Sequence, residues 1–162
     1  MSEQAWLAGH LVISKDVLAD VDAHAIQEYP NESCGLLIGP AADALRVDTG
    51  VRAANMADKY HRADPETFPR TAKTFFIIDA RLIYKTFEAG EKTGNPVKVI
   101  YHSHCDVGAY FSAEDQAAAS PDGMPSYPVT YLVTSVRQGV VDDHKLFVFD
   151  AGKWVEAPFS VS

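Results

Sequence analysis

The chain has 162 residues, with 14 Lys and Arg against 22 Asp and Glu, which leaves a net charge of −8. With 47% apolar and 22% charged residues it is long and apolar enough for one globular domain with its own core, which argues against disorder. The acidic balance argues against a nucleic-acid backbone as partner, no run of 18 apolar residues offers a membrane span, and Glu3 stands where a secretory leader would be basic.

Ser14 is placed to cap a helix over about 15–29, with Val17, Leu18, Val21, Ala25 and Ile26 on one apolar stripe. Pro30 and Asn31 end it. Residues 34–39, Cys-Gly-Leu-Leu-Ile-Gly, read as a short strand buried on both faces. Leu45, Val47 and Val51 suggest a second strand pairing back as a hairpin, with 41–43 as the connection. Residues 53–74 lack a clean period and read as a long loop, a length that is usually functional. Residues 75–78 look strand-like, and Asp79 caps a helix bearing Leu82, Ile83 and Phe87 with Gly90 at its end. A β-branched strand at 97–101 runs directly into His102-Ser103-His104, and Ser112 starts a helix to about Ala119. A second irregular loop holds Pro121, Gly123, Pro125 and Pro128. Closing strands follow at 129–136, 145–149 and 154–155. The expectation is an α/β chain of three helices and roughly seven strands, with its polar cluster where a central strand ends and a helix begins. Ligands commonly bind at such carboxyl ends.

His102 and His104 are spaced i, i+2, so on a strand both imidazoles share a face. By itself that spacing fits a half-buried strand pair as well as a metal site. Ser112 and Asp115 read first as a capping pair, Ser-x-x-Asp, serving the free N–H groups of the helix. Capping does not explain their nearness to two histidines. A carboxylate there also completes a His, His, Asp set, and three N/O ligands with a fourth position open is the arrangement of catalytic zinc. Cys105, adjacent to His104, is expected on the opposite face as a packed thiol. Glu32 alone is a polar residue in a Pro-Asn-Glu-Ser turn. Two cysteines are too few for a disulfide framework and suggest a reducing, cytoplasmic setting. His10, His24, His61 and His144 have no partner that the sequence identifies.

The run Glu32-Ser33-Cys34-Gly35-Leu36-Leu37-Ile38-Gly39, followed by His102-Ser103-His104, seven residues, Ser112, two residues and Asp115, resembles the JAMM (MPN-plus) zinc metalloproteases. The family pattern is a Glu before a Cys-Gly-apolar strand, then His-Ser/Thr-His-x7-Ser-x2-Asp, and every position is filled. The resemblance covers about residues 10–150, including the region of Asn55. It implies one MPN-like domain over 1–162, a mixed curved sheet flanked by about three helices in a cytidine-deaminase-like arrangement. It also implies one catalytic zinc on His102, His104 and Asp115. Glu32 would be the general base, and Ser112 would steady the oxyanion rather than act as nucleophile. Ser103 would face away from the metal.

The implied reaction is hydrolysis of an amide or isopeptide bond after the C-terminal Gly-Gly of a ubiquitin-like or sulfur-carrier protein. That covers deconjugation, precursor processing and release of a cysteine adduct, and the single-domain form resembles prokaryotic members. Such a thin tail can lie along a strand edge, with the loops at 53–74 and 104–111 as walls. Cys105 stands where many relatives have Pro, and 106–111 is a variant stretch. Cys105, Tyr110, Phe111 and Arg62 are the candidate substrate contacts, while His61, Arg62, Arg70 and Lys73 could meet an acidic partner surface. The principal alternative is a non-catalytic MPN-type zinc-binding interaction module. A nucleobase deaminase would need His-x-Glu and Pro-Cys-x-x-Cys, and this chain has His in place of that Glu and no Cys-x-x-Cys.

Overall fold

The computed structural model describes residues 4–162, so Glu3 lies outside it. After a 3-10 turn at Ala5–Ala8, the elements are β1 (Leu11–Ile13), α1 (Lys15–Glu28), β2 (Cys34–Ile38), β3 (Arg46–Val47) and β4 (Thr49–Ala53). Then come α2 (Ala57–Ala63), α3 (Ala80–Thr93), β5 (Val97–Cys105) and α4 (Ala113–Ala119). Four strands close the chain: β6 (Thr130–Arg137), β7 (Val140–Asp150), β8 (Lys153–Ala157) and β9 (Phe159–Val161). The main sheet has six strands in the order β4-β2-β5-β6-β7-β8, and a small sheet runs β3-β1-β9. In the main sheet β5 and β6 are parallel and the other pairs antiparallel. No helix among the described residues is long and apolar enough to cross a membrane.

The main sheet separates two cores. On one face Val17 and Val21 of α1 pack with Leu37, Val99, Tyr101, Leu132 and Leu146. On the other, Leu36, Ile100, Val133 and Phe147 meet Leu82, Ile83 and Phe87 of α3 and Ala119 of α4. This two-sided cover makes β5 buried along nearly its whole length. Alternation along β5 then sends Tyr101 and Ser103 toward α1, and Ile100, His102 and His104 toward α3 and α4.

Ser14 caps α1 by accepting from Val17 N, Asp79 caps α3 by accepting from Arg81 N, and Ser112 caps α4, all as their positions suggested. Several expectations need correction. α3 ends at Gly94, which takes φ 74° in the left-handed region, and not at Gly90. The expected second strand divides: β3 joins β1, while β4 pairs with β2. Lys98 holds the connection in place, its ammonium donating to the carbonyls of Pro40, Asp43 and Arg46 at 2.8–3.0 Å. The 53–74 stretch contains a fourth helix, α2, too short to display a periodic stripe. Residues 75–78 form no strand, because the side chain of Asn55 takes the hydrogen bonds a ladder would supply, with Phe75 O and Ile77 N.

Candidate metal centre

The pairing of β2 with β5 builds the site. Cys34 stands opposite His102. One step further, Ser103 N donates to Ser33 O at 3.1 Å and Ser33 N donates to Ser103 Oγ at 2.8 Å. This carries the antiparallel register past the end of β2, so Glu32 comes level with His104. The main chain of Glu32 is held at both ends: its N–H donates to Ala72 O at 2.7 Å, and its carbonyl accepts from Asn55 Nδ2 at 2.9 Å. The side chain is 4% exposed, and its Oε1 has no partner among the described residues.

Two imidazoles and a carboxylate converge at the end of β5. Asp115 Oδ2 lies 3.1 Å from Nε2 of both His102 and His104, and the two Nε2 atoms are 3.2 Å apart. His104 Nδ1 is 3.0 Å from Gly108 O. A carbonyl only accepts, so Nδ1 carries the proton, and on a neutral ring Nε2 is then a bare lone pair. That lone pair faces an anionic oxygen and a second ring nitrogen. At most one proton, on His102, is available to three atoms crowded this closely. A cation resolves the conflict. Atoms held at about 2.0–2.1 Å in a tetrahedron around zinc stand about 3.3 Å from one another, close to the observed separations. The donor set therefore fits a small divalent ion.

Electrostatics favour the ligating forms. Burial holds the His102 imidazole below its ordinary value, hence neutral, against the opposing pull of Asp115. Burial alone would raise Asp115, but the facing His102 imidazole, which can donate to it, holds its carboxyl below the usual carboxylate range. Glu32 goes the other way: burial, then the like charge of Asp115, pushes it up to about 9, with Arg70 opposing. Phe76 stacks on the His102 ring at 4.3 Å between centroids, and Tyr110 packs edge-on against His104 at 4.9 Å. A narrow cleft of about 120 Å³ opens on the cluster, lined by Glu32, His104, Cys105, Tyr110 and Ser112 among others. A larger hollow of about 630 Å³ lies at the other end of β5, beside Trp6, Phe87 and Pro128, but has no histidine or cysteine in its walls.

A family profile described as "Prokaryotic homologs of the JAB domain" matches residues 14–146. The chain belongs to this JAB/MPN family. A protein named CysO-cysteine peptidase from Mycobacterium tuberculosis (strain ATCC 25618 / H37Rv) is 29% identical over 152 residues, covering 93% of this chain and 90% of its own. The Mycobacterium bovis protein of the same name matches to the same extent. Among solved structures, a Desulfitobacterium hafniense protein aligns with TM-score 0.69 at 24% identity, over 94% of this chain and 92% of its own. A JAB1/MPN domain protein from Archaeoglobus fulgidus aligns with TM-score 0.59 at 15% identity, over 95% and 99%. These two share the fold.

In this JAB-domain chain the motif residues Glu32, His102, His104, Ser112 and Asp115 all come together. Ser112 Oγ accepts from Asp115 N at 3.0 Å, and Asp115 Oδ2 accepts from Ser112 N at 3.1 Å. The capping pair and the cluster facing the imidazoles are thus the same groups. Ser103 turns to the other face, toward Ser33. Cys105, expected to point away, borders the cleft where β5 ends, and burial pushes its thiol up to about 12. Tyr110 lines the cleft and is half exposed. Two candidate substrate contacts are displaced. Phe111 is only 6% exposed and stacks on Phe147 within the core, because an aromatic group at the start of α4 gains more from that cluster than from water. Arg62 is exposed on α2 and is not part of the cleft wall, where Arg70 and Lys73 stand instead.

Among the described residues, the side chains of three of the four remaining histidines, all but His10, have partners. His24 Nδ1 is 2.7 Å from Tyr101 Oη, His61 Nδ1 donates to Phe68 O at 2.7 Å, and His144 Nε2 pairs with Asp22 at 2.6 Å. Sequence reasoning missed the work of Asn55, Phe76 and Gly108. An Asn just ahead of a short helix was the visible signal for the first. Phe76 acts across the fold on His102, and Gly108 acts through a backbone carbonyl that any residue carries, so neither left one.

Proposed function

We propose that the chain is a zinc-dependent metallopeptidase that hydrolyses the amide or isopeptide bond after the C-terminal Gly-Gly of a ubiquitin-like or sulfur-carrier protein. It works as one domain over 1–162, with the motif-bearing core at about 10–150. The observation that carries this reading is the convergence of His102 Nε2, His104 Nε2 and Asp115 Oδ2 beside the unpartnered, buried Oε1 of Glu32. The curated mycobacterial relatives, named as CysO-cysteine peptidases, support a carrier-protein substrate. Two unpaired cysteines agree with a cytoplasmic setting.

His102, His104 and Asp115 would hold the ion. Bound there, zinc supplies Lewis acidity, acidifying water and polarising a carbonyl, and its charge offsets the repulsion between Glu32 and Asp115. Glu32 takes up a proton from water at Oε1 and delivers it to the departing amine. Its clamped main chain keeps that oxygen in place through both transfers. The Ser112 hydroxyl accepts from Asp115 N, so its own proton is free to donate to the oxyanion that develops on the scissile carbonyl. Ser112 has no adjacent base and is not a nucleophile. The Gly108 carbonyl fixes the His104 tautomer, and the Phe76 ring keeps His102 flat and dry.

The test combines metal content with cleavage of a Gly-Gly conjugate. Glu32→Gln should keep one zinc per chain and lose activity, while His102→Ala and Asp115→Ala should lose the zinc. Stoichiometric zinc in either ligand variant, or parent activity in Glu32→Gln, would sink the assignment. Zinc with no cleavage in the parent would favour an interaction module instead.

A further inference from the structure

We propose that Arg70 and Lys73 form a carboxylate-reading subsite in the cleft, so that the departing group is a single small amino acid with a free α-carboxylate. This rests on the peptidase reading and narrows its substrate class.

The chain carries a net charge of −8, yet two cations line the same narrow opening as Glu32. The Lys73 ammonium has no partner among the described residues. Arg70 Nη2 lies 3.4 Å from Glu114 Oε2 with both side chains about 40% exposed, longer than the 2.7–2.9 Å of a strong charge-assisted bond. It is a loose pair that an arriving carboxylate can replace or share. Arg70 also pulls Glu32 down electrostatically, against the effect of burial and Asp115.

Position then decides what the cations read. Glu32 protonates the leaving amine, so whatever is attached to that nitrogen lies beside Glu32. In an α-amino acid the carboxylate is two bonds from the nitrogen and meets Arg70 and Lys73. A lysine side chain places four methylenes there and brings no charge. The opening of about 120 Å³ is also far below the roughly 300–1,000 Å³ of ordinary small-molecule pockets. Its remaining walls, Cys105, Val107 and Tyr110, suit a small, weakly polar side chain.

The experiment uses two synthetic peptides ending in Gly-Gly-Cys, one a free acid and one a C-terminal carboxamide. Cleavage by the zinc-loaded parent is measured as kcat/KM, and binding is measured calorimetrically on zinc-loaded Glu32→Gln. The free acid should be favoured about fivefold in both, the upper end of what a partly exposed charge pair supplies. In the double variant Arg70→Gln, Lys73→Gln the ratio of acid to carboxamide should fall to about unity, and Lys73→Glu should lower it as well. The ratio is read within one protein, so a general loss of stability does not move it. Equal handling of the two peptides by the parent overturns the proposal, as does a preference that survives in the double variant. Tighter binding of the acid with neither peptide cleaved leaves the subsite standing and removes the peptidase reading. Binding of neither overturns the subsite.

Discussion

Asn55 ties Glu32, the proposed base, to the rest of the site, and its removal should show what that tie contributes. Its Nδ2 donates to Glu32 O and to Phe75 O, each at 2.9 Å, and its Oδ1 accepts from Ala57 N at 3.0 Å and Ile77 N at 3.1 Å. The side-chain amide is thus fully used, and it joins Glu32, the start of α2 and the segment carrying Phe76. At about 1 kcal/mol per net hydrogen bond, discounted because the residue is half-buried, Asn55→Ala should cost about 2–3 kcal/mol. For a domain of this size that lowers Tm by about 4–12 °C, read by circular dichroism. The nearly isosteric Asn55→Asp keeps both acceptors but sets a carboxylate oxygen against two carbonyls, so it should be at least as destabilised. In both variants zinc content should hold while kcat falls and KM changes little, because Glu32 is misplaced and the ligands are not. A Tm within 1–2 °C of the parent in Asn55→Ala, roughly the scale of a surface substitution, would refute the reasoning. An Asp variant clearly more stable than the Ala variant would show that packing, not hydrogen bonding, is what Asn55 supplies.

Gly35→Ala should be severely destabilised, by about 3 kcal/mol or more, because a Cβ there would overlap the Tyr101 ring and lie 2.5 Å from Val51 O. A urea midpoint near the parent's would contradict the tight β2–β5 approach. Phe76→Ala should weaken zinc binding by about tenfold through loss of the ring on His102, measured by competition with a chelator, and an unchanged midpoint counts against that role. In metal-free protein, burial and then Asp115 raise Glu32 to about 9 from an ordinary 4.5, so the folded state holds this proton more tightly than the unfolded one. The resulting stability is complete below the ordinary value and is lost as pH rises toward 9. Metal-free Glu32→Gln should therefore gain on the parent steadily from pH 5 to 9, and parallel stability curves over that range would disprove it.

What was legible in the sequence follows the range of the interactions involved. Ser14, Asp79 and Ser112 act on N–H groups two or three residues away, so their caps could be read directly. The strand holding His102 and His104 was legible because its neighbours are β-branched and its burial is two-sided. α2 was hidden because seven residues give no recurring stripe. The split of the second strand depends on Lys98, whose three carbonyl partners lie 52 to 58 positions upstream. Arg62 and Arg70 looked alike in an aperiodic stretch. Only the folded path, with Glu32 N bonded to Ala72 O, brings the second of them to the cleft.

The Ser-x-x-Asp spacing poses a different problem, since two demands meet on one set of atoms. A helix of seven residues is too short to persist alone, and α4 depends on its cap and on packing at Ala119. The capping box fixes the Asp115 carboxylate through Ser112 N, and the same Oδ2 is the oxygen that faces both imidazoles. Capping therefore sets the position of the proposed third ligand through the fold itself. It also uses the Ser112 oxygen as an acceptor, which leaves the hydroxyl proton as the part free to act on a substrate. A cap and a metal ligand are then not rival accounts of the pair. The cap orders the proposed ligand, and the sequence alone could not separate the two roles because one set of atoms serves both.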